Sequence, residues 1–158
     1  MSPLIIVILV VMAIIGSVMM LKPSAKQARL AEQRLEAIKL GLQVKLETFE
    51  PESEKNGVRD EIRGALYLRY FPDVKSQKIK WRVVRQPAWD SEGLPESWSW
   101  HDKEDMPDLA ALNELLVALP EDVLLVEAFD NRVALITEES QQSTALLIND
   151  WLQQAARL

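Results

Sequence analysis

No cysteine occurs among the 158 residues. Disulfides, thiolate-ligated zinc and dithiol redox chemistry are thereby excluded, and the composition agrees with a reducing compartment. Histidine occurs once, at position 101, so no second imidazole can complete a histidine-based metal site. The five glycines, at 16, 41, 57, 64 and 93, form neither a phosphate-cradling loop nor a dinucleotide fingerprint. No G-x-S-x-G is present, which removes the nucleophile elbow. The chain shows no internal repeat. No catalytic constellation assembles from these residues, and no cofactor or metal is expected.

Charge is missing from one stretch altogether. Leu4 to Leu21, LIIVILVVMAIIGSVMML, has no ionisable side chain and a single polar one, Ser17. Eighteen residues at ~1.5 Å each cover roughly 27 Å as a helix, close to the hydrocarbon thickness of a bilayer. The run is too long for a strand, and a lone span in lipid must satisfy its backbone internally, so a helix is expected. A cleaved signal peptide fits less well. No basic residue precedes the run, it outlasts a signal core, and Met19-Met20-Leu21-Lys22 is not a small-x-small site. The expectation is a transmembrane anchor over residues 1–21, with the lipid bilayer as first partner. Lys22, Lys26, Arg29, Arg34 and Lys39 follow within ~20 residues of its end, the zone where basic residues set topology. They predict an N-terminus outside and a C-terminal domain in the cytoplasm.

The net charge of −6 is uneven: +4 over residues 22–45, +2 over 46–89 and −12 over 90–158. The basic part adjoins the bilayer, where anionic headgroups favour it. The acidic part is expected to lie away from that surface or to meet a basic partner, and it argues against nucleic acid.

After the span, a basic juxtamembrane helix is expected over 22–41 and one α+β domain over 42–158. Ser24 and Gln27 have the spacing of a capping box, and Gly41 stands at the helix C-cap. Ala28, Ala31, Leu35, Ile38 and Leu42 make an apolar stripe at alternating spacings of three and four. That stripe is expected to pack on the following domain, with a partner helix as the other reading. Residues 41–46, 64–71 and 78–85 read as strands, and the last two are near enough in sequence to pair antiparallel. EPESEKNG, residues 50–57, reads as a solvated loop.

In the 78–85 strand, Ile79, Trp81 and Val83 face one way and Lys78, Lys80 and Arg82 the other. The basic side is expected to face water. Together with Trp98 and Trp100 it is the candidate interaction surface, although the two indoles are themselves expected to be buried. ESWSWH reads as a short strand and 108–119 as a helix ended by Pro120. A hairpin is predicted over 123–129 and 132–137 around Asp130-Asn131, with Val126 opposite Leu135 and Leu125 opposite Ile136. Both of its faces are partly apolar, which places it centrally. A last helix over 140–156 turns Ala145, Ile148, Trp151 or Leu152, and Ala155 inward. The fold class is α+β, with a largely antiparallel sheet and packed helices behind one transmembrane helix.

His101 lies beside Asp102 and near Glu104, Asp105 and Asp108. Acid–base or metal chemistry there is one reading. A solvated, charged approach to the 108–119 helix is the expected one.

The junction Leu21-Lys22-Pro23, followed by KQARLAEQRLEAIKLGLQV, resembles the YajC family of auxiliary subunits of the bacterial Sec translocase. The likeness covers residues 4–46 and stops where that family continues glycine-rich; here the chain reads LETFEPESEKNG. The resemblance implies an accessory membrane protein of a bacterial envelope complex and not an enzyme. The expectation is therefore a single-pass protein of the bacterial inner membrane. Its cytoplasmic domain would bind a protein partner in translocation or envelope assembly. The alternative is a membrane-tethered enzyme using His101 with Asp102, or a ligand sensor in the tryptophan-rich region.

Overall fold

The computed structural model describes residues 2–20 and 22–158. Leu21, taken above as the end of the span, lies outside the described residues. The chain divides into two compact units, Met1–Glu32 and Gln33–Leu158. The division falls within its second helix.

In the first unit, α1 runs Pro3–Met20, and none of its 18 residues is buried. It is long and apolar enough to cross a membrane. Ser17 Oγ donates to the Ala13 carbonyl at 2.8 Å, so its one polar side chain is satisfied inside the helix. The second helix, α2, runs Ala25–Lys39. The Gln27 N–H donates to Ser24 Oγ at 3.2 Å and the Ser24 N–H to Gln27 Oε1 at 3.0 Å, a reciprocal capping box.

In the second unit the elements are β1 (Gln43–Phe49), a one-turn helix α3 (Ser53–Asn56), β2 (Ile62–Tyr70), β3 (Ile79–Val84) and β4 (Ser99–Lys103). They are followed by α4 (Leu109–Val117), β5 (Val123–Phe129), β6 (Arg132–Thr137) and α5 (Ala145–Ala155). The strands form one antiparallel sheet in the order β1-β2-β6-β5-β3-β4. The α+β architecture is as the pattern indicates. The β5–β6 hairpin lies at its centre, with Val126 opposite Leu135 and Leu125 opposite Ile136.

One pairing differs from expectation. β2 and β3 do not meet: β2 pairs with β1 and β6, and β3 with β5 and β4. Val123–Phe129 and Arg132–Thr137 are apolar on both faces, and strands of that kind are buried on both sides, which reserves the middle of the sheet for them. The hairpin therefore separates two strands that are neighbours in sequence.

Helices cover one face. Tyr67, Trp81, Val83, Val126 and Leu135 point into a core shared with Leu112 and Leu116 of α4 and with Ile148, Trp151 and Leu152 of α5. Both helices carry side-chain caps, and α5 begins at Ala145, later than the expected 140. Asp108 Oδ1 accepts from the Ala110 N–H at 3.0 Å, and Thr144 Oγ1 accepts from the Leu147 N–H at 3.3 Å. Trp151 Nε1 donates to the Leu115 carbonyl at 2.8 Å and ties α5 to α4.

The stripe read on α2 is not its buried side. Leu35 and Ile38 are 52% and 55% exposed, Ala28 and Ala31 are exposed too, and of the five residues Leu42 alone is buried. The residues of α2 that are buried are Gln33 and Ala37. Polar ties select that side. The Gln33 amide donates to the Ser143 carbonyl, and Arg34 makes a two-pronged ion pair with Glu139. Glu139 Oε1 also accepts from the Tyr67 hydroxyl at 2.6 Å. Glu139 sits at φ +58, a conformation that non-glycine residues adopt only where their surroundings hold them. Ala37, at 0% exposure, is small enough to let α2 approach.

Candidate functional site

On the face away from α4 and α5, Ile62, Leu66, Leu68, Val84, Leu125 and Ile136 form a second apolar cluster. Beside it stands a row of charges set by register. Arg82 on β3 lies directly opposite Glu127 on β5 and Asp102 on β4. Its Nε is 2.9 Å and its Nη2 2.8 Å from Glu127 Oε2, and its Nη1 is 2.6 Å from Asp102 Oδ2. The guanidinium also lies over the rings of Phe49 and Phe129, 4.7 and 5.8 Å from their centroids. The guanidinium is thus held between two nearly buried carboxylates by charge-assisted hydrogen bonds.

The β3–β4 register shifts between Arg82 and Val83, where Trp100 pairs with Val83 and Asp102 with Arg82. His101 is the extra residue of this bulge, which turns its side chain toward the same cluster. The ring is 1% exposed and meets Phe49 edge-on at 5.0 Å. Its Nδ1 is 2.7 Å from Asp102 Oδ2, and its Nε2 accepts from the Glu52 N–H at 3.1 Å. That pairing assigns the proton to Nδ1. Both ring nitrogens are thus engaged. The strand read at ESWSWH is present, shifted to Ser99–Lys103, and the expected solvated approach to α4 is corrected: His101 and Asp102 are buried, because the bulge and the Glu52 amide draw them inward.

Residues 50–57 also differ from the expected solvated loop. Ser53–Asn56 turns into α3, and Asn56 is buried. Asn56 Nδ2 donates to the Trp100 carbonyl at 2.6 Å, its Oδ1 accepts from the Val58 N–H, and Lys55 Nζ reaches Asp102 Oδ1 at 3.1 Å. Gly57 ends the turn at φ +78, and the Trp89 ring lies where its side chain would be. Burial pushes the Asp102 carboxyl toward a higher pKa. Hydrogen bonds from His101 and Lys55 and the Arg82 charge outweigh that and hold it well below the usual carboxylate range.

The candidate interaction surface of Lys78, Lys80, Arg82, Trp98 and Trp100 is not brought together. Trp98 and Trp100 are 3% and 2% exposed, with Trp100 Nε1 donating to the Glu92 carbonyl at 3.0 Å. Arg82 faces the carboxylates and not water. Lys80 is half-buried near Asp105, 3.8 Å away, and exposed Lys78 precedes β3. Lys22, Lys26 and Lys39 are exposed, Arg29 is half-buried, and Arg34 is committed to Glu139.

A recess of about 260 Å³ opens beside the charge row, bounded by Lys45, Phe49, Tyr70, Glu127 and Arg132. It is small beside the ~300–1,000 Å³ of typical ligand pockets. Among the described residues no three His, Asp or Glu side chains converge as metal ligands.

No family model matches this chain, and no curated protein or solved structure matches it. The reading of its function rests on its own residues.

Each charged group of the cluster has an opposite charge in reach, so the arrangement can bind α3 to the sheet and order the 50–58 segment. Local patterning could not find it, since Arg82, Asp102, Glu127 and Lys55 come from four separate elements. The available signal was slight, an arginine on the outward-alternating side of a strand whose other side is apolar.

Proposed function

We propose that the chain is a single-pass accessory protein of a bacterial inner membrane whose α+β domain, on the cytoplasmic side, binds a protein partner. The observation that carries it is α1, whose 18 residues, all but Ser17 without a polar side chain, have no protein cover. Such a surface in water is costly, and in lipid it is the ordinary surface of a span. The basic residues that follow, Lys22, Lys26 and Arg29 among them, support retention of the domain in the cytoplasm. Leu35 and Ile38 support the partner reading, since they form an exposed apolar strip on a helix whose other side is already occupied. A role in translocation or envelope assembly stays with the YajC-like character of residues 4–46.

Membrane fractionation is the first test. The protein stays with the bilayer after alkaline extraction, and recovery in the soluble fraction overturns the reading. An alkaline phosphatase reporter fused after Leu158 is inactive if the domain is cytoplasmic. The rival is a tethered enzyme using His101 and Asp102. It predicts that His101→Ala abolishes function in a complementation assay, whereas the accessory role predicts retained function at a reduced level set by stability.

A further inference from the structure

The two edges of the sheet are treated differently. β4 is short, and the 86–95 segment covers it: the Trp100 N–H donates to the Asp90 carbonyl at 2.7 Å and Ser99 Oγ to the Gln86 carbonyl at 2.7 Å. β1 has seven residues paired with β2 without a register shift. Its outer edge has no backbone partner among the described residues. It contains no proline and no bulge, and Leu46 at its centre is 74% exposed. Proteins ordinarily blunt such an edge; of the usual devices β1 carries charge alone, Lys45 and Glu47, so the edge remains a template for a strand whose charges oppose these.

The sequence of β1 indicates which strand. Gln43, Lys45, Glu47 and Phe49 alternate onto one face, and Val44, Leu46 and Thr48 onto the other. We propose that β1 pairs with β1 of a second copy of this chain, antiparallel and centred on Leu46, joining two six-stranded sheets across a two-fold axis. In that register Leu46 meets Leu46 and covers the most exposed apolar side chain of the strand. Lys45 meets Glu47 of the other copy twice, on the same face, and Val44 meets Thr48. Gln43 meets Phe49 at the ends, and the two Lys45–Glu47 oppositions are of the kind that stabilises a cross-strand pair. A register one residue away turns the charges of one copy toward the apolar side of the other.

A seven-residue strand pair is small beside the ~1,200–2,000 Å² buried by stable complexes. The dimer therefore forms where copies are concentrated, and the proposed anchor, on which this part rests, supplies that by confining them to a membrane.

The natural lack of cysteine makes the test direct. Leu46→Cys in the full chain carries a single thiol, and directly opposed residues of an antiparallel pair stand within disulfide reach. Mild oxidation in native membranes gives a disulfide-linked homodimer, while the control Leu146→Cys, at a leucine that is also exposed, does not. In the Leu46→Cys background, Lys45→Glu or Glu47→Lys alone lowers the yield about tenfold by setting like charges opposite. The doubly swapped chain, or the two single variants expressed together, restores it. That recovery separates pairing from misfolding. Absence of the homodimer, equal yield at 146, capture of a different chain at 46, or failure of the swap to restore yield each overturns the proposal. Fractionation of the same samples reports membrane retention separately, so loss of the anchor and loss of the dimer are distinguished.

Discussion

On its helix-covered side the sheet meets α4 and α5 through Trp81, Val83 and Leu135, and that contact is apolar, the Arg34–Glu139–Tyr67 ties there holding α2. On the other side Arg82, Glu127, Asp102, Lys55 and His101 tie α3 and β4 to the central strands by directed bonds. The two closures differ in kind. Apolar contact tolerates volume-conserving change and is indifferent to pH. A buried ion network tolerates neither loss of one member nor a change in protonation. The charge asymmetry along the chain acquires a meaning here. Arg82 and Lys55 come from the basic middle and Asp102 and Glu127 from the acidic end, so the chain is in part its own basic partner.

Five substitutions break or sharpen that contrast. Arg82→Ala has the largest expected effect, a loss of about 3–5 kcal/mol in denaturant unfolding at neutral pH, because two buried carboxylates then face each other. Its deficit shrinks in acid as Asp102 takes up a proton. The folded-state pKa of Asp102 is depressed, so its contribution is full above the ordinary value of 3.8 and is lost as pH falls below it. Asp102→Asn therefore flattens the acid limb of the stability profile. Leu135→Ala costs about 2–5 kcal/mol through the cavity it leaves, and it leaves the acid limb unchanged. If both variants alter that limb alike, the two faces are not independent.

Gly64→Ala is expected to cost about 1–3 kcal/mol. An added Cβ would stand 2.5 Å from the Thr137 carbonyl oxygen and 2.8 Å from Ile136, so β2 and β6 must part where the second apolar cluster begins. Thermal unfolding measures it, and a variant as stable as the parent shows that the strands can separate freely. The smallest effect is that of Thr144→Ala, about 1 kcal/mol, from the lost cap of α5 on the helix-covered side. It is read in the same assay.

The apolar side was legible in the sequence. The Asp130-Asn131 turn, the register of Val126 with Leu135 and the inward side of α5 follow from periodicity and turn chemistry, which are local. The charged side was not. Arg82 alternates outward from Trp81 and Val83, which reads as solvation until the strands beside it are known. His101 is turned by a bulge that no pattern of types announces. On α2 the greasy stripe was visible, yet Gln33 and Arg34, with partners more than a hundred residues away, decide which side is buried. Strand order failed for the same reason: β2 and β3 are near in sequence, but the hairpin competes for their edges and wins.

That insertion has a consequence for how the molecule is made. A chain emerging from a ribosome delivers residues 62–84 well before 123–137, so the two strands that flank the hairpin wait with their facing edges bare. The sheet cannot zip up in the order of synthesis. Its middle arrives late, and a nascent chain halted short of that point carries two adhesive borders with nothing to lie between them.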